Sequence, residues 1–386
     1  MSTPQIAIVG AGVAGLTLAR VLQVHGVGST LFELDTATQS RDQGGTLDLH
    51  LESGQVALHA MGLFSKFQTL VRDDAQETRV IDKHAKIHLH DNSPKNFVEK
   101  PEIDRGDLRQ LMIDAIDSNT IKWGTRVDEI KPSQTQAGLT ATKYTVVYNS
   151  DQEETFDLVV GADGAWSKVR KLLSDTLPCH SGITLVEFRI SEFRARHPKL
   201  LDLVGAGSCF MYSGGQGLVA QVNADRTLRI YATLSAREDQ LSEIRSAISN
   251  PDNARRYLLG HFADWDEGIK DLIRVSDDHF IPRPIYALPV PYVWESKPGL
   301  TLVGDAAHLM SPFAGMGANM AMWDAATLGE KLAHAIKTGK PLTDAVAEYE
   351  QEMYQKTRPA TTMSASNMKK FMSPNNLELA VQILTH

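Results

Sequence analysis

Residues 5–26 read QIAIVGAGVAGLTLARVLQVHG, and this stretch decides the fold. A short apolar run, Ile6 to Val9, suits a strand buried on both faces of a parallel sheet. Gly10, Gly12 and Gly15 follow in the spacing GxGxxG. Leu16, Ala19, Leu22 and Gln23 then recur every three or four residues, a helical period that stops at Gly26. The next segment, STLFELD at 29–35, reads as a second strand and completes a βαβ unit. Glu33 stands 18 residues past Gly15, at the end of that strand. These are the demands of a dinucleotide. Gly10 permits a tight turn, Gly12 lets backbone approach a pyrophosphate, and Gly15 lets helix and strand pack closely. The helix start offers free N–H groups and a partial positive charge, and Glu33 can accept from ribose hydroxyls. The fingerprint alone leaves FAD and NAD(P) both open.

The rest of the chain narrows the class. At 386 residues it has room for more than one domain. Lys and Arg number 39 against 47 Asp and Glu, a net charge of −8 with no basic block. A nucleic-acid partner needs a clustered cationic surface, so that class is disfavoured. Two scattered cysteines, Cys179 and Cys209, read as free thiols of a reducing cytosol. MSTPQIAIVG has no secretory pattern, and no apolar run approaches the ~20 residues of a membrane span. A cytoplasmic protein without stable membrane insertion is expected.

Downstream, DRGDLRQLMIDAID (104–117) reads as a helix, and TRVDEIKPS, KYTVVYNS and TFDLVVGADG as strands. From Gly182 to Leu234 short alternating segments with turn signals predict antiparallel sheet. Two helical stretches follow, then prolines cluster in IPRPIYALPVP (281–291), read as a crossing back to the first domain. GLTLVGD is a buried strand, and two long helical patterns end the chain. The fold class expected is α/β: a Rossmann-like nucleotide domain with an inserted antiparallel-sheet domain and a C-terminal bridging helix. The expected division gives 1–72, 100–174 and 283–355 to the nucleotide domain. It gives 73–99 and 175–282 to a substrate domain and 356–386 to the C-terminal helix.

Two further motifs choose the cofactor. GADGAWSKVR runs from Gly161 to Arg170, and GDAAHLMSPFAGMGAN from Gly304 to Asn319. With GxGxxG they resemble, in order and spacing, the three motifs of the class A FAD-dependent aromatic hydroxylases, whose nucleotide domain is of the p-hydroxybenzoate-hydroxylase type. The stretches GGTLDLH, EIDRGDLRQLM, FADWDEGIKDLI and GDAAHLMSPFAG are similar to the tetracycline-inactivating branch of that family. The resemblance implies noncovalent FAD, NADPH as reductant and O2 as co-substrate. A flavin C4a-hydroperoxide would deliver oxygen to an aromatic or polycyclic small molecule. It implies that Asp305 binds the ribityl and pyrophosphate region. The turn of Gly315, Met316, Gly317, Ala318 and Asn319 would cap the flavin ring. Asp48 and Arg105 would contact FAD, with Arg109 supporting the same pocket. Arg41 matches an arginine implicated in holding NADPH. Asp163 either supports the cofactor side or simply forms an Asp-Gly turn.

The chain departs from the tetracycline-inactivating branch where substrate specificity would lie. Glu187 replaces a Gln, Ser208 an Arg and Arg229 a His, while Phe313 is retained. Leu34 and Ser311 replace an Arg and a Pro. The candidates for substrate orientation are Glu187, Phe210, Tyr212, Arg229, Tyr231 and Phe313. Arg229 beside Glu187 can bind a phenol or enol, or can be a cross-strand charge pair. No fixed catalytic side chain and no metal ligand is assigned, because the flavin carries the chemistry. His308 in DAAH and Trp265 in FADWDE read as structural, and His88 and His90 in IHLHD as solvated surface. Tetracycline inactivation and natural-product hydroxylation are both open. A flavin reductase or a non-catalytic flavin binder on the same fold are the other readings. A monomer is expected.

Overall fold

The computed structural model describes residues 3–38, 44–71, 77–92, 100–133, 143–223 and 227–385. The chain divides into two compact units. The first comprises Met1–Val71, Arg105–Cys179 and Ala287–Ser364; the second comprises Arg72–Asp104, His180–Tyr286 and Ala365–His386.

The first unit is built on a five-stranded parallel sheet in the order Leu300–Leu302, Leu158–Gly161, Ile6–Val9, Thr30–Phe32, Ile121–Lys122. The strand Ile6–Val9 is wholly buried, as its unbroken apolar run requires. It lies in the middle, with its sequence successor on one side and Leu158–Gly161 on the other. Strand order reverses there, and ligands of open α/β sheets bind beyond the strand ends at such a point. Helix Val13–Val24 packs against the long helix Gly317–Thr338. Small residues set their approach: a Cβ on Gly329 would lie 2.8 Å from Val21 Cγ1. A three-stranded antiparallel meander, Val127–Pro132, Tyr144–Tyr148 and Gln152–Phe156, completes this unit's sheets. The reading of TFDLVVGADG as one strand needs correction. The chain turns at Asp157, so Phe156 ends one sheet and Leu158 begins another.

The second unit carries a seven-stranded, largely antiparallel sheet. Its order is Ile281–Ala287, Cys179–Ile190, Leu228–Ser235, Gln216–Val222, Ser208–Ser213, Thr78–Ile81, Ile87–Asp91. Alternation sends Val186, Phe188, Met211, Leu218, Ala220, Ile230 and Ala232 to one face. That face packs with Leu258, Phe262, Trp265, Ile269 and Leu272 of the helical segments into the unit's core. IPRPIYA is a strand and not only a crossing. Proline lacks the ladder N–H, so Pro282 and Pro284 are confined to an edge, which is where this strand lies. The last helical pattern runs on as Leu342–Phe371 with Pro359 inside it, and a further helix, Asn376–Thr385, follows. No helix among the described residues is long and apolar enough to cross a membrane.

Candidate functional site

The three glycines of the fingerprint play three different parts. Gly10 has φ +103°, and a Cβ there would sit 2.4 Å from the Ala162 carbonyl oxygen. The turn after the first strand therefore presses directly on the GADG segment. A Cβ on Gly15 would sit 1.9 Å from the Gly10 carbonyl oxygen, so the helix rests on the turn itself. Gly12 is exposed, and a Cβ there would meet nothing within 4 Å. Helix Val13–Val24 has no capping side chain and no acidic residue in its first turn. An uncapped helix start beside open space is what a pyrophosphate needs. Glu33 is buried and accepts from the Ala11 N–H (2.7 Å) and the Asp35 N–H (2.8 Å). A carboxylate has about four acceptor sites, so two remain for ribose hydroxyls.

The other two motifs converge on the same sheet edge. Gly304 is wedged between helices: a Cβ there would lie 3.1 Å from Ala14 Cβ and 3.1 Å from Ala321 Cβ. Asp305, the next residue, is exposed, although protein crowds it from behind. That crowding desolvates its carboxyl and raises its pKa, against the pull of His308, Arg105 and Arg170. Asp163 Oδ2 accepts from the Lys168 N–H at 2.7 Å, and burial raises its carboxyl too. Arg170, which the motif reading quoted but did not assign, is buried and joins the two motifs. It donates to the Ala306 carbonyl (3.0 Å) and to the Ala165 carbonyl.

Segment 48–54 meets the glycine turn. Asn319 is fully buried, and its Oδ1 accepts from the N–H of His50 (2.8 Å) and of Gly54 (3.2 Å). Its Nδ2 donates to the Asp48 carbonyl at 2.8 Å. The side chain is thus spent on protein, and Asn319 positions the turn. Gly315 lies beside Asp48: a Cβ there would be 3.8 Å from Asp48 Oδ1. Met316, Gly317 and Ala318 are half-buried at the start of the long helix. Arg105 is exposed with its chain against Gly44. Arg109 is buried, donates to the Thr38 carbonyl (2.7 Å) and faces Asp35, so it braces the loop after Glu33. Arg41 lies outside the described residues. Uncapped amides, open space at Gly12, an exposed Asp305 and the Glu33 carboxylate all suit FAD. Asp305→Ala is expected to weaken FAD retention roughly tenfold to 100-fold, the worth of a hydrogen bond to a charged group. Flavin absorbance per protein after gel filtration checks this. Full retention would remove Asp305 from the site.

In the second unit, strand register places five of the six substrate candidates on the sheet face opposite the core. Phe210, Val219, Tyr231 and Glu187 form one transverse row, with Arg229 in the next. Glu187 and Arg229 are both buried and bonded to each other. Arg283, absent from the sequence-based candidates, donates from Nε to the other Glu187 oxygen at 2.8 Å. Tyr212 shares the face but is buried and stacked on Phe371 at 5.2 Å. Phe313 lies in the first unit, half-buried in the turn Pro312–Ala314. Ser311 bonds Ser364 at 2.6 Å and anchors the long C-terminal helix. His308 is buried and bonded to Asp324, and Trp265 packs edge-on to Phe262 at 5.0 Å. His88 pairs with Asp82 and His90 with Glu77 on the exposed strand.

The family described as FAD binding domain matches residues 3–277 and 292–363. The monooxygenase penA of Penicillium thymicola is 31% identical, over 98% of this chain and 98% of its own length. The monooxygenase asqM of Emericella nidulans is 32% identical over 94% of each. The crystal structure of the tetracycline destructase Tet(51) superposes with a TM-score of 0.71 at 21% identity, covering 99% of this chain and 98% of that one. That likeness is one of fold. The family match and the two near-full-length relatives agree with the three converging motifs, and the chain belongs to the FAD binding domain family of class A flavin monooxygenases.

Proposed function

We propose that the chain uses NADPH and O2 to hydroxylate an aromatic or polycyclic small molecule, with the polar face of the seven-stranded sheet as its substrate wall. One observation carries the reading: Glu187, Phe210, Arg229 and Tyr231 share a face that the hydrophobic core does not use. FAD, when bound and reduced by NADPH, supplies the activation of dioxygen, so no side chain needs to serve as nucleophile. The chain's own residues bind and orient. The amides at Gly12 and the helix start hold the pyrophosphate, Glu33 the ribose, and Asp305 the ribityl side. Asn319 and Arg170 hold those groups in place through the bonds described above. Phe210 and Tyr231 offer flat apolar area to a ring, and the Glu187–Arg229 pair meets its acidic hydroxyl. Burial pushes the Cys209 thiol up to about 12, so it stays protonated and inert at neutral pH.

Glu187→Gln is expected to lower turnover about tenfold while leaving FAD content unchanged, since the lost charge orders the two arginines. Flavin-to-protein absorbance read beside steady-state rates checks the split; loss of flavin would mean that the wall is misplaced. The overall reading is tested by NADPH oxidation in air by the FAD-loaded protein. A panel of phenolic and polycyclic compounds, tetracycline included, is offered, and products are read by mass spectrometry. Substrate-stimulated oxidation with a gain of one oxygen atom supports it. Oxidation that no aromatic compound stimulates sinks it. Tetracycline belongs in the panel because of the fold likeness and Phe313. Glu187, Ser208 and Arg229 weigh toward a different ring system.

A further inference from the structure

Two guanidinium groups, those of Arg229 and Arg283, share the Glu187 carboxylate. The two arginines are not equivalent. Arg229 is buried against Glu187 and by itself satisfies the need of a buried carboxylate for a partner. Arg283 keeps nearly half of its side chain exposed and gives Glu187 only its Nε–H. Its Nη1 and Nη2 donate to no protein atom among the described residues. Pro282 and Pro284 flank Arg283 and fix φ on both sides, and the Nε–Oε2 bond fixes the far end. The free edge of the guanidinium is therefore held in place before any ligand arrives. A planar fork of N–H donors on a fixed cation matches an oxyanion on a conjugated ring or a carboxylate.

We propose that Arg283 determines specificity, selecting substrates that present an anionic oxygen (a phenolate, enolate or carboxylate) to its free Nη edge, beside the Glu187–Arg229 pair. This rests on the sheet face being the substrate wall. The probes are 4-nitrophenol, at a pH where it is ionised, and its neutral methyl ether, 4-nitroanisole. Binding to the FAD-loaded enzyme is measured by equilibrium dialysis, for the native chain and for Arg283→Gln, Arg283→Lys and Phe210→Ala. The native chain binds the anion at least about tenfold more tightly than the ether, as a charge-assisted pair in a partly buried site provides. Arg283→Gln abolishes that preference while ether binding and FAD content hold, and Arg283→Lys keeps part of it. A preference that survives Arg283→Gln, or that the native chain lacks while Phe210→Ala weakens both probes, overturns the proposal and leaves the wall standing. Probes indifferent to Phe210→Ala and Arg283→Gln alike overturn the wall, and the role of Arg283 with it.

Discussion

Gly12→Ala is expected to fold like the parent chain and to lose FAD. Gly12 has φ −74° and ψ −177°, a conformation any residue adopts, and it caps its helix without a side-chain bond. The added methyl meets no protein atom within 4 Å, so thermal stability should stay within about 0.5 kcal/mol, as at other unconstrained exposed positions. The same methyl would stand where the backbone must approach the pyrophosphate. Losing that approach costs on the order of 3 kcal/mol, roughly 100-fold in affinity. Gly15→Ala behaves in the opposite order. Its methyl would lie 1.9 Å from the Gly10 carbonyl, so helix and turn must separate and the apo protein itself loses several kcal/mol, about the cost of severe overpacking. Thermal melts of both apo variants, with FAD titration followed by flavin fluorescence, separate the two. If Gly12→Ala retains flavin at native affinity, the pyrophosphate does not lie there.

The pair of variants also marks what the sequence could and could not reveal. Strand, turn and helix at 5–26 are local, so apolar run, spacing and period suffice to read them. The sheet neighbours of Ile6–Val9 are not local. Leu158–Gly161 joins it from some 150 residues away, and only motif order pointed to that join. The edge strand Ile281–Ala287 was hidden because two prolines argue against a strand, and the argument holds only for strands paired on both sides. The C-terminal helix expected over 356–386 is broken at Ser373 and Pro374, so Asn376–Thr385 stands as a separate helix after Leu342–Phe371.

The site divides along the same line. Gly10, Gly12, Gly15 and Glu33 announce themselves by spacing, and Asp305 by the resemblance its motif carries. Residues that act through other residues do not. Arg170 reaches the GDAAH segment across 136 positions, and Asn319 reaches His50 across 269. Arg283 bonds Glu187 across 96 positions and sits in no motif. Asp324 left one trace, a lone carboxylate in the otherwise apolar stretch MAMWDAATLG. A buried Asp is rarely left unpaired, so that trace pointed to a partner without naming it.

That partner is His308, and removing Asp324 should be among the most costly single changes in the first unit. Asp324 is wholly buried, bonds His308 Nε2 through Oδ2, and with the same oxygen accepts the Gly304 N–H at 3.0 Å. Asp324→Ala strands a buried imidazole and the N–H that precedes Asp305. Breaking a buried charge pair from one side costs about 3–5 kcal/mol, a large share of a typical domain's 5–15 kcal/mol. The pair also has a pH signature. Burial, the largest influence on His308, favours its neutral form. The charge and hydrogen bond of Asp324, with Asp305 adding, outweigh burial and raise its pKa above the ordinary 6.5. The folded chain therefore holds this proton more tightly than the unfolded chain. Its contribution is complete below pH 6.5 and is lost as pH rises through the higher folded value. Urea midpoints of the native chain and His308→Gln, compared across that range, should converge as pH rises. A constant gap would mean that His308 is neutral in the fold, and a loss below about 1 kcal/mol in Asp324→Ala would show that the pair does not hold the GD turn. Because FAD binds only the folded chain, loading should restore part of the lost stability in proportion to its affinity. A variant that remains unstable at saturating FAD would place the damage in the core between the two long helices, and not at the cofactor's edge.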